Sequence, residues 1–334
     1  MRLAPSSLRR AAFLALALLP AALLFARPAS TPSPALVVLS KDDSSLAIVD
    51  PATFQILARI PTGPTPHEVA VSADGAFAVA SNYGAHQDGT SLSLIDLNSQ
   101  KEIQRVDLGE LRGPHGIVFF DGRVWFTAEA SRKIARYNPA TNKIDWTHDI
   151  GQNRTHMLVL SRDGHTIYTA NVESNSVTVV QANADRSQWT NTNIPVGSGP
   201  EAISLSPDER ELWVGNSRDA SISVIDTSSN KVTSTFDIGA KHSNRLKFTP
   251  DSSLVLVSDL GAGDLLFVDV PTHTVTKRLH LGSNTEGILI VPDGSRAFVA
   301  VSGDDKVAVV DLKTRSVIST FSVGKNPDSM AWRD

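Results

Sequence analysis

Three histidines of this chain occupy the same place in three successive stretches of similar sequence. His67, His115 and His156 each open a short apolar segment, with Glu68 adjoining the first and Glu129 following the second. Three imidazoles around one point leave a fourth position open on zinc or a similar ion, where water is activated or a carboxylate binds. These residue types predict a site for one divalent metal ion, with His67, His115, His156 and Glu129 as ligands.

The strand-opening position carries a polar residue in every repeat of the chain. Its members, located by counting back from a recurrent turn aspartate, are His67, His115, His156, Glu201, Asn244, Glu286 and Asp328. A second set lies eight residues after the same aspartate and consists of Asn82, Glu129, Asn171, Asn216, Asp259 and Val301, with Ser40 as the equivalent at the N-terminal end. If the two segments form an antiparallel hairpin, both sets lie at one rim of the fold. We expect a ligand to bind at this rim.

A repeat of 42 to 46 residues sets the frame that positions these side chains. Its clearest marks are seven glycines that follow an apolar segment: Gly63, Gly109, Gly151, Gly197, Gly239, Gly282 and Gly324. Apolar residues alternate with others in each unit, as in Val69 and Val71, and pairs such as Asp74-Gly75 and Pro250-Asp251 reverse the chain. This period is typical of propeller blades with four antiparallel strands.

The two ends of the chain complete one another. Six full units lie between Gly63 and Gly324, the segment before Gly63 lacks its first strand, and residues 326–332 supply one. Pairing of the C-terminal strand with the N-terminal strands leaves no blade edge open. The sequence therefore predicts an all-β, seven-bladed β-propeller over residues 36–334, as a single domain and a monomer.

Strand motifs of the chain resemble those of the YVTN-type β-propeller repeat family, which includes YncE-like periplasmic and surface-layer propellers. The motif is nearly intact in Tyr168-Thr169-Ala170-Asn171 and recognisable in residues 212–216, and the strand openings PHEVAVSADG and PEAISLSPDE follow the family pattern. The resemblance covers about residues 36–332. It implies the propeller fold and leaves the function open, because such propellers have many roles.

One unit is similar to blades of the virginiamycin B (streptogramin) lyase family. It is GPHGIVFFDGRVWFTAE, residues 113–129. The resemblance implies that His115 is a catalytic base and Glu129 a metal ligand. Gly113 stands where that family has a further acidic ligand.

The N-terminal residues are typical of an export signal. Arg2, Arg9 and Arg10 precede an apolar run over residues 11–26 that is short for a membrane span. We expect residues 1–29 to direct export to the periplasm or beyond, residues 30–35 to be a Pro/Ser spacer, and the mature chain to have no membrane span. An uncleaved N-terminal anchor is the alternative.

Composition excludes several kinds of site. The chain has no cysteine, so disulfides and thiolate metal sites are excluded. Beyond residue 29 it carries 27 basic and 35 acidic residues, a net charge of −8, with no basic cluster. This charge weighs against nucleic acid as a partner.

Three functions follow from these patterns. We expect an exported, non-catalytic propeller that binds a protein partner or a small ligand at its rim. The alternative is a metal-dependent lyase or lactonase with His115 as base; a third is binding of single-stranded DNA. A simpler interpretation of the rim is also open, because polar groups there would solvate a water-filled channel. A long loop, residues 83–90, is expected above the same rim, as a lid or as a tolerated insertion.

Overall fold

The strands of this chain form seven four-stranded antiparallel sheets that surround a common axis. A computed structural model describes residue 1 and residues 31–334, and in it each innermost strand contacts the innermost strands of both neighbouring sheets, so that the ring is closed. The predicted seven-bladed propeller is confirmed. The expected export signal lies outside the described residues, apart from Met1.

Four strands follow one another outwards in each blade. The innermost strands are β4 (Pro66–Val71), β8 (Pro114–Phe120), β12 (Thr155–Leu160), β16 (Pro200–Leu205), β20 (Ser243–Phe248), β24 (Thr285–Ile290) and β28 (Pro327–Arg333). The second strands are β5 (Phe77–Asn82), β9 (Arg123–Ala128), β13 (Thr166–Asn171), β17 (Glu211–Asn216), β21 (Leu254–Asp259), β25 (Arg296–Val301) and β1 (Ala35–Ser40). A 3₁₀ turn, Ser302–Asp304, follows β25.

The outer half of each blade is more exposed. The third strands are β6 (Ser91–Asp96), β10 (Lys133–Asn138), β14 (Ser176–Ala182), β18 (Ser221–Asp226), β22 (Asp264–Asp269), β26 (Lys306–Asp311) and β2 (Ser45–Val49). The outermost strands are β7 (Lys101–Asp107), β11 (Lys143–Asp149), β15 (Trp189–Pro195), β19 (Lys231–Asp237), β23 (Thr274–His280), β27 (Ser316–Phe321) and β3 (Ile56–Pro61). Blades 1 to 6 start at β4, β8, β12, β16, β20 and β24, and blade 7 consists of β28, β1, β2 and β3.

Blade 7 closes the ring with strands from both ends of the chain. β28 pairs antiparallel with β1, with Val37 opposite Ala331 and Ser40 opposite Pro327. Both strands are almost wholly buried. The pairing satisfies backbone groups that would otherwise form an open sheet edge at β1.

Apolar side chains fill the spaces between blades, as alternation in the strands predicts. Leu39 and Ile48 of blade 7 pack against Ile95 of blade 1, and the buried Trp213 lies between blades 4 and 5 beside Leu246. Burying one such aliphatic side chain contributes roughly 1.5–3 kcal/mol. Each blade therefore depends on its neighbours, and the rim residues are held on a rigid frame.

No helix in residues 31–334 is long and apolar enough to cross a membrane.

Candidate functional site

The predicted rim residues lie at one end of the innermost strands. Pro66 pairs with Asn82, Thr155 with Asn171 and Pro200 with Asn216, so the hairpins bring both predicted sets to the same rim. The seven strand-opening residues surround the axis there. We call this end of the ring the mouth.

Three imidazoles form a cluster at the mouth. Nδ1 of His67 lies 3.2 Å from Nε2 of His115, and the rings of His115 and His156 are 3.7 Å apart between centroids at an angle of 31°. Tyr83, the first residue of the long loop, packs against His67 and His115 at 4.6 and 5.2 Å between ring centroids. We call His67, His115, His156 and Tyr83 the imidazole cluster.

The protein holds two of these imidazoles neutral. Burial lowers the pKa of His67 to about 4, against the attraction of Asp328 and with added repulsion from Lys41 and Arg245. Burial also lowers the pKa of His115 well below its usual value, and the neighbouring imidazoles add to the effect. At neutral pH both rings therefore offer a lone pair as well as an N–H group.

Several polar atoms of the mouth lack a hydrogen-bond partner in the described part of the chain. They include Nδ1 of His115, Nδ1 of His156 and Oε2 of Glu129, all on buried side chains. Oδ1 of Asn244 and Oδ1 of Asp328 share this property. Buried polar atoms normally have hydrogen-bond partners, so these atoms are free to bind water or a ligand.

Glu129 lies beside the cluster and carries a negative charge. Nε of Arg154 donates a hydrogen bond of 2.6 Å to Oε1 of Glu129, and Nδ1 of His156 lies 3.6 Å from the same atom. Burial opposes ionisation, but His156, Tyr83 and Arg154 together lower the pKa of Glu129. Next to this pair is an open cavity of about 470 Å³, lined by Tyr83, Asp88, Glu129, Ala130, Arg132, Asn153 and Arg154.

Glu201 extends the polar surface towards blade 5. Nδ2 of Asn244 donates a 2.9 Å hydrogen bond to Glu201, and Nε2 of His242 lies 2.9 Å from its other oxygen. Although burial opposes ionisation, His242 and His156 lower the pKa of Glu201 to about 2. His242 was not predicted to lie at the rim. It belongs to the mouth, because its Nε2 contacts Glu201, one of the strand-opening residues.

Glu286 and Asp328 form a buried acidic pair around Lys41. Lys41 binds Glu286 and lies 3.4 Å from Oδ2 of Asp328, while Ser302 donates a 2.7 Å hydrogen bond to Glu286. Burial and the charge of Asp328 raise the pKa of Glu286, whereas Lys41 and Arg245 lower that of Asp328 against its burial. Asp328 also lies 3.8 Å from Nδ1 of His67, which joins this pair to the imidazole cluster.

A salt bridge crosses the axis just below the mouth. The guanidinium of Arg245 in β20 binds the carboxylate of Glu68 in β4, three blades further around the ring, and both side chains are buried. The other residues at the third position of the innermost strands are Gly116, Met157, Ala202, Gly287 and Ser329. Glu68 was predicted at the rim from the sequence, whereas Arg245 was not. The signal was present, because these two alone are charged at that position and their charges are opposite.

Four predicted rim residues make their hydrogen bonds within the blades. Asn82, Asn171 and Asn216 donate side-chain hydrogen bonds to Ser or Thr residues of the next strand, such as Asn216 to Ser221 at 2.9 Å. Asp259 accepts backbone N–H groups from Lys241 and His242. All four are buried, and their hydrogen bonds lie within their own blades.

The asparagines explain two of the recurrent glycines. A Cβ atom at Gly63 or Gly197 would lie 2.4 Å from the side-chain amide of Asn82 or Asn216, respectively. A residue without a side chain is needed there so that the amide can reach its partners.

The four residues of the predicted metal site are neighbours at the mouth. In residues 31–334 no three His, Asp or Glu side chains are arranged to hold one ion. Oε1 of Glu129 is bound by Arg154 instead. The metal ligands His67, His115, His156 and Glu129 stay a prediction.

The comparisons with known proteins support the fold across the whole chain. Hydrazine synthase from Kuenenia stuttgartiensis is 16% identical with a TM-score of 0.74, over 85% of this chain and 94% of that one. A periplasmic gluconolactonase from Pseudomonas aeruginosa is 15% identical with a TM-score of 0.74, over 90% and 99% of the two chains. A putative 6-phosphogluconolactonase from Bacteroides uniformis is 13% identical with a TM-score of 0.73, over 90% and 99%.

At these identities the solved structures establish the fold alone. No curated protein matches this chain. The likeness of residues 113–129 to streptogramin lyase blades is not shown by the comparisons. The profile of the YNCE-like beta-propeller family matches residues 3–334, and the chain therefore belongs to the YncE-like β-propeller family.

Proposed function

We propose that this protein is an exported binding protein that takes up a small polar ligand at the mouth of its propeller. The observation that carries the proposal is the set of unpaired buried polar atoms on His115, His156 and Glu129. Such atoms are costly unless a partner satisfies them, and a ligand at the mouth would do so. Export rests on the charged and apolar pattern of residues 2–26.

The polar groups of the mouth favour a ligand that has a carboxylate and several hydroxyl groups. Three of the acids are already paired with a cation: Glu129 with Arg154, Glu68 with Arg245 and Glu286 with Lys41. Arg132 and Arg154 line the cavity of about 470 Å³ and can bind a ligand carboxylate. Neutral imidazoles both donate and accept hydrogen bonds, which suits hydroxyl groups. The volume of this cavity is in the usual range for sites that bind small molecules.

Calorimetric titration with gluconate tests this proposal, because gluconate has one carboxylate and several hydroxyl groups. We expect saturable binding at neutral pH. Arg154→Gln should weaken it by at least about tenfold, since a charge-assisted hydrogen bond contributes roughly 1.5–3 kcal/mol. Arg210→Gln is the matched control, because Arg210 is 85% exposed in the side chain and lies in a turn at the other end of blade 4. Absence of saturable binding, or equal effects of the two variants, would contradict the proposal.

A lactonase is the second candidate. It is favoured by Oε2 of Glu129, which lies beside the imidazoles and has no hydrogen-bond partner in the described residues. Gluconolactonases are also among the proteins of similar fold. The strongly lowered pKa of His115 argues against it, because a group that binds protons so weakly is a poor general base. We therefore place binding before catalysis.

Hydrolysis of glucono-δ-lactone, followed by titration of the acid formed, separates the two candidates. A rate above the spontaneous one that His115→Gln abolishes would favour the lactonase. Elemental analysis of the purified protein and of His115→Ala adds an independent test, since a stoichiometric metal lost in the variant would support a metal-dependent enzyme. For the binding protein we expect no acceleration and no stoichiometric metal.

A further inference from the structure

Another open cavity lies between blades 1 and 2, at the end of the strands opposite the mouth. It is bounded by the turns between β4 and β5, between β8 and β9 and between β10 and β11. In β4, Pro66 lies at the mouth end and Val71 lies next to the first of these turns. The volume of the cavity is about 510 Å³, which is enough for a small molecule. We call this cavity the crevice.

Apolar side chains form much of the crevice wall. Leu94, Ile103, Phe77 and Phe119 all line it. Leu94 is buried in the apolar core between blades 1 and 2, and the partly buried Phe77 and Phe119 pack against that core. Ile103 of β7 stays 49% exposed. A ligand with an apolar body would remove this surface from water, which is favourable.

Two aspartates give the crevice a negative charge. Asp74 and Asp121 line it, and both are exposed. Hydrogen bonds from the hydroxyl of Ser72 and from the N–H of Ala76 lower the pKa of Asp74, so it is ionised at neutral pH. Asp121 lies in the turn between β8 and β9, across the crevice from the turn that holds Asp74. A cation bound in the crevice would therefore have two carboxylates around it.

The protein places no cation of its own in the crevice. Among the described residues that line it there is no lysine, arginine or histidine. Arg123, which follows the turn of Asp121, pairs with Asp145 at 3.3 Å instead. Both carboxylates of the crevice are therefore open to a cationic ligand.

Arginines of the chain show what such a cation would contact. Three of them lie over aromatic rings between other blades: Arg136 at 5.0 Å from the ring centre of Trp125, Arg296 at 5.5 Å from that of Phe298 and Arg315 at 5.7 Å from that of Phe267. A cation is attracted to the face of an aromatic ring. The crevice has the aromatic residues Phe77 and Phe119 without the arginine.

We propose that the crevice binds an organic cation that has an apolar body, such as an arylalkyl ammonium ion. The body of the ligand packs against Ile103, Phe77 and Phe119, and its ammonium group lies between Asp74 and Asp121. The site uses no residue of the mouth, so it is independent of the ligand proposed there.

NMR of the full chain with methyl-labelled isoleucine tests the proposal, with phenethylamine as the probe. At neutral pH the methyl signal of Ile103, assigned with Ile103→Val, should shift saturably. The signal of Ile318, which is 56% exposed on β27, should not shift. Phenethyl alcohol has the same aromatic body without the charge. We expect it to bind at least about threefold more weakly than the amine, because it cannot pair with the two exposed carboxylates.

Two double variants make the assignment specific. Asp74→Asn combined with Asp121→Asn should abolish the preference for the amine over the alcohol. Asp163→Asn combined with Asp208→Asn removes the same charge from the corresponding turns of blades 3 and 4 and should leave the preference unchanged.

Three results would overturn the proposal. They are no saturable shift of Ile103, equal affinities of the wild type for the amine and the alcohol, and equal effects of the two double variants. The first two are measured on the wild type, so they decide the proposal even if a variant fails to fold.

Discussion

Neutral histidines at the mouth are the residue-level basis of the binding proposal. Charged imidazoles would repel one another at the observed 3.2 Å between nitrogens of His67 and His115. Burial and the nearby cations Lys41 and Arg245 keep them neutral. The cluster can therefore exist without a bound anion. Its neutral rings can donate hydrogen bonds to a ligand and accept hydrogen bonds from it.

The lowered pKa of His67 predicts a loss of stability in acid. The unfolded chain binds a proton at His67 below pH about 6.5, whereas the folded chain does so only near pH 4, so stability is lost as the pH falls through this window. We expect His67 to account for about 3 kcal/mol of this loss. Urea unfolding of wild type and His67→Gln at pH 7 and pH 4 measures it. The variant should lose less stability over the interval; equal losses would contradict the shift.

At the scale of the strand, the salt bridge between Arg245 and Glu68 braces β20 against β4. Arg245→Met leaves the buried carboxylate of Glu68 without its partner, which should cost about 3–5 kcal/mol of unfolding free energy. The double variant with Glu68→Met should recover much of that loss, because no unpaired charge remains there. Urea unfolding of both singles and the double gives the coupling energy. Additive effects would show that the two residues do not interact.

The recurrent glycines provide a second test at this scale. Gly63→Ala should destabilise the protein by about 1–3 kcal/mol, because the new Cβ would lie 2.4 Å from the amide of Asn82. In an Asn82→Ala background the same substitution should cost less, since the amide is gone. Thermal unfolding of the four proteins measures this. A cost that does not depend on residue 82 would assign the role of Gly63 to its backbone alone.

Particular elements show how far sequence patterns reach. The strand-opening residues and the split of blade 7 follow from a repeat that can be counted along the chain, and both are found where predicted. The bridge between Arg245 and Glu68 joins residues 177 positions apart, and its recognition needs the curvature of the ring. The hydrogen bonds of Asn82, Asn171 and Asn216 within their blades were not predicted. The spacing places these residues at the rim but does not give the direction of their side-chain amides.

At the scale of the whole molecule, closure by β28 holds the mouth together. Asp328 belongs to β28, and its contacts with Lys41 and His67 depend on the pairing of that strand with β1. Removal of residues 327–334 should abolish cooperative unfolding in urea, because it opens the edge of β1 and exposes the apolar faces of two blades. Removal of Asp334 alone is the control. Cooperative unfolding of the longer truncation would contradict closure as the source of stability.

The central claim is that a ligand binds among the imidazoles of the mouth. It is tested most directly by NMR of histidine-labelled protein during titration with gluconate at neutral pH. We predict saturable shifts of the ring signals of His115 and His156. Those of His165 and His273, which lie in turns at the opposite end of the strands, should stay unchanged. Shifts confined to the distant histidines, or none at saturating gluconate, would contradict the account.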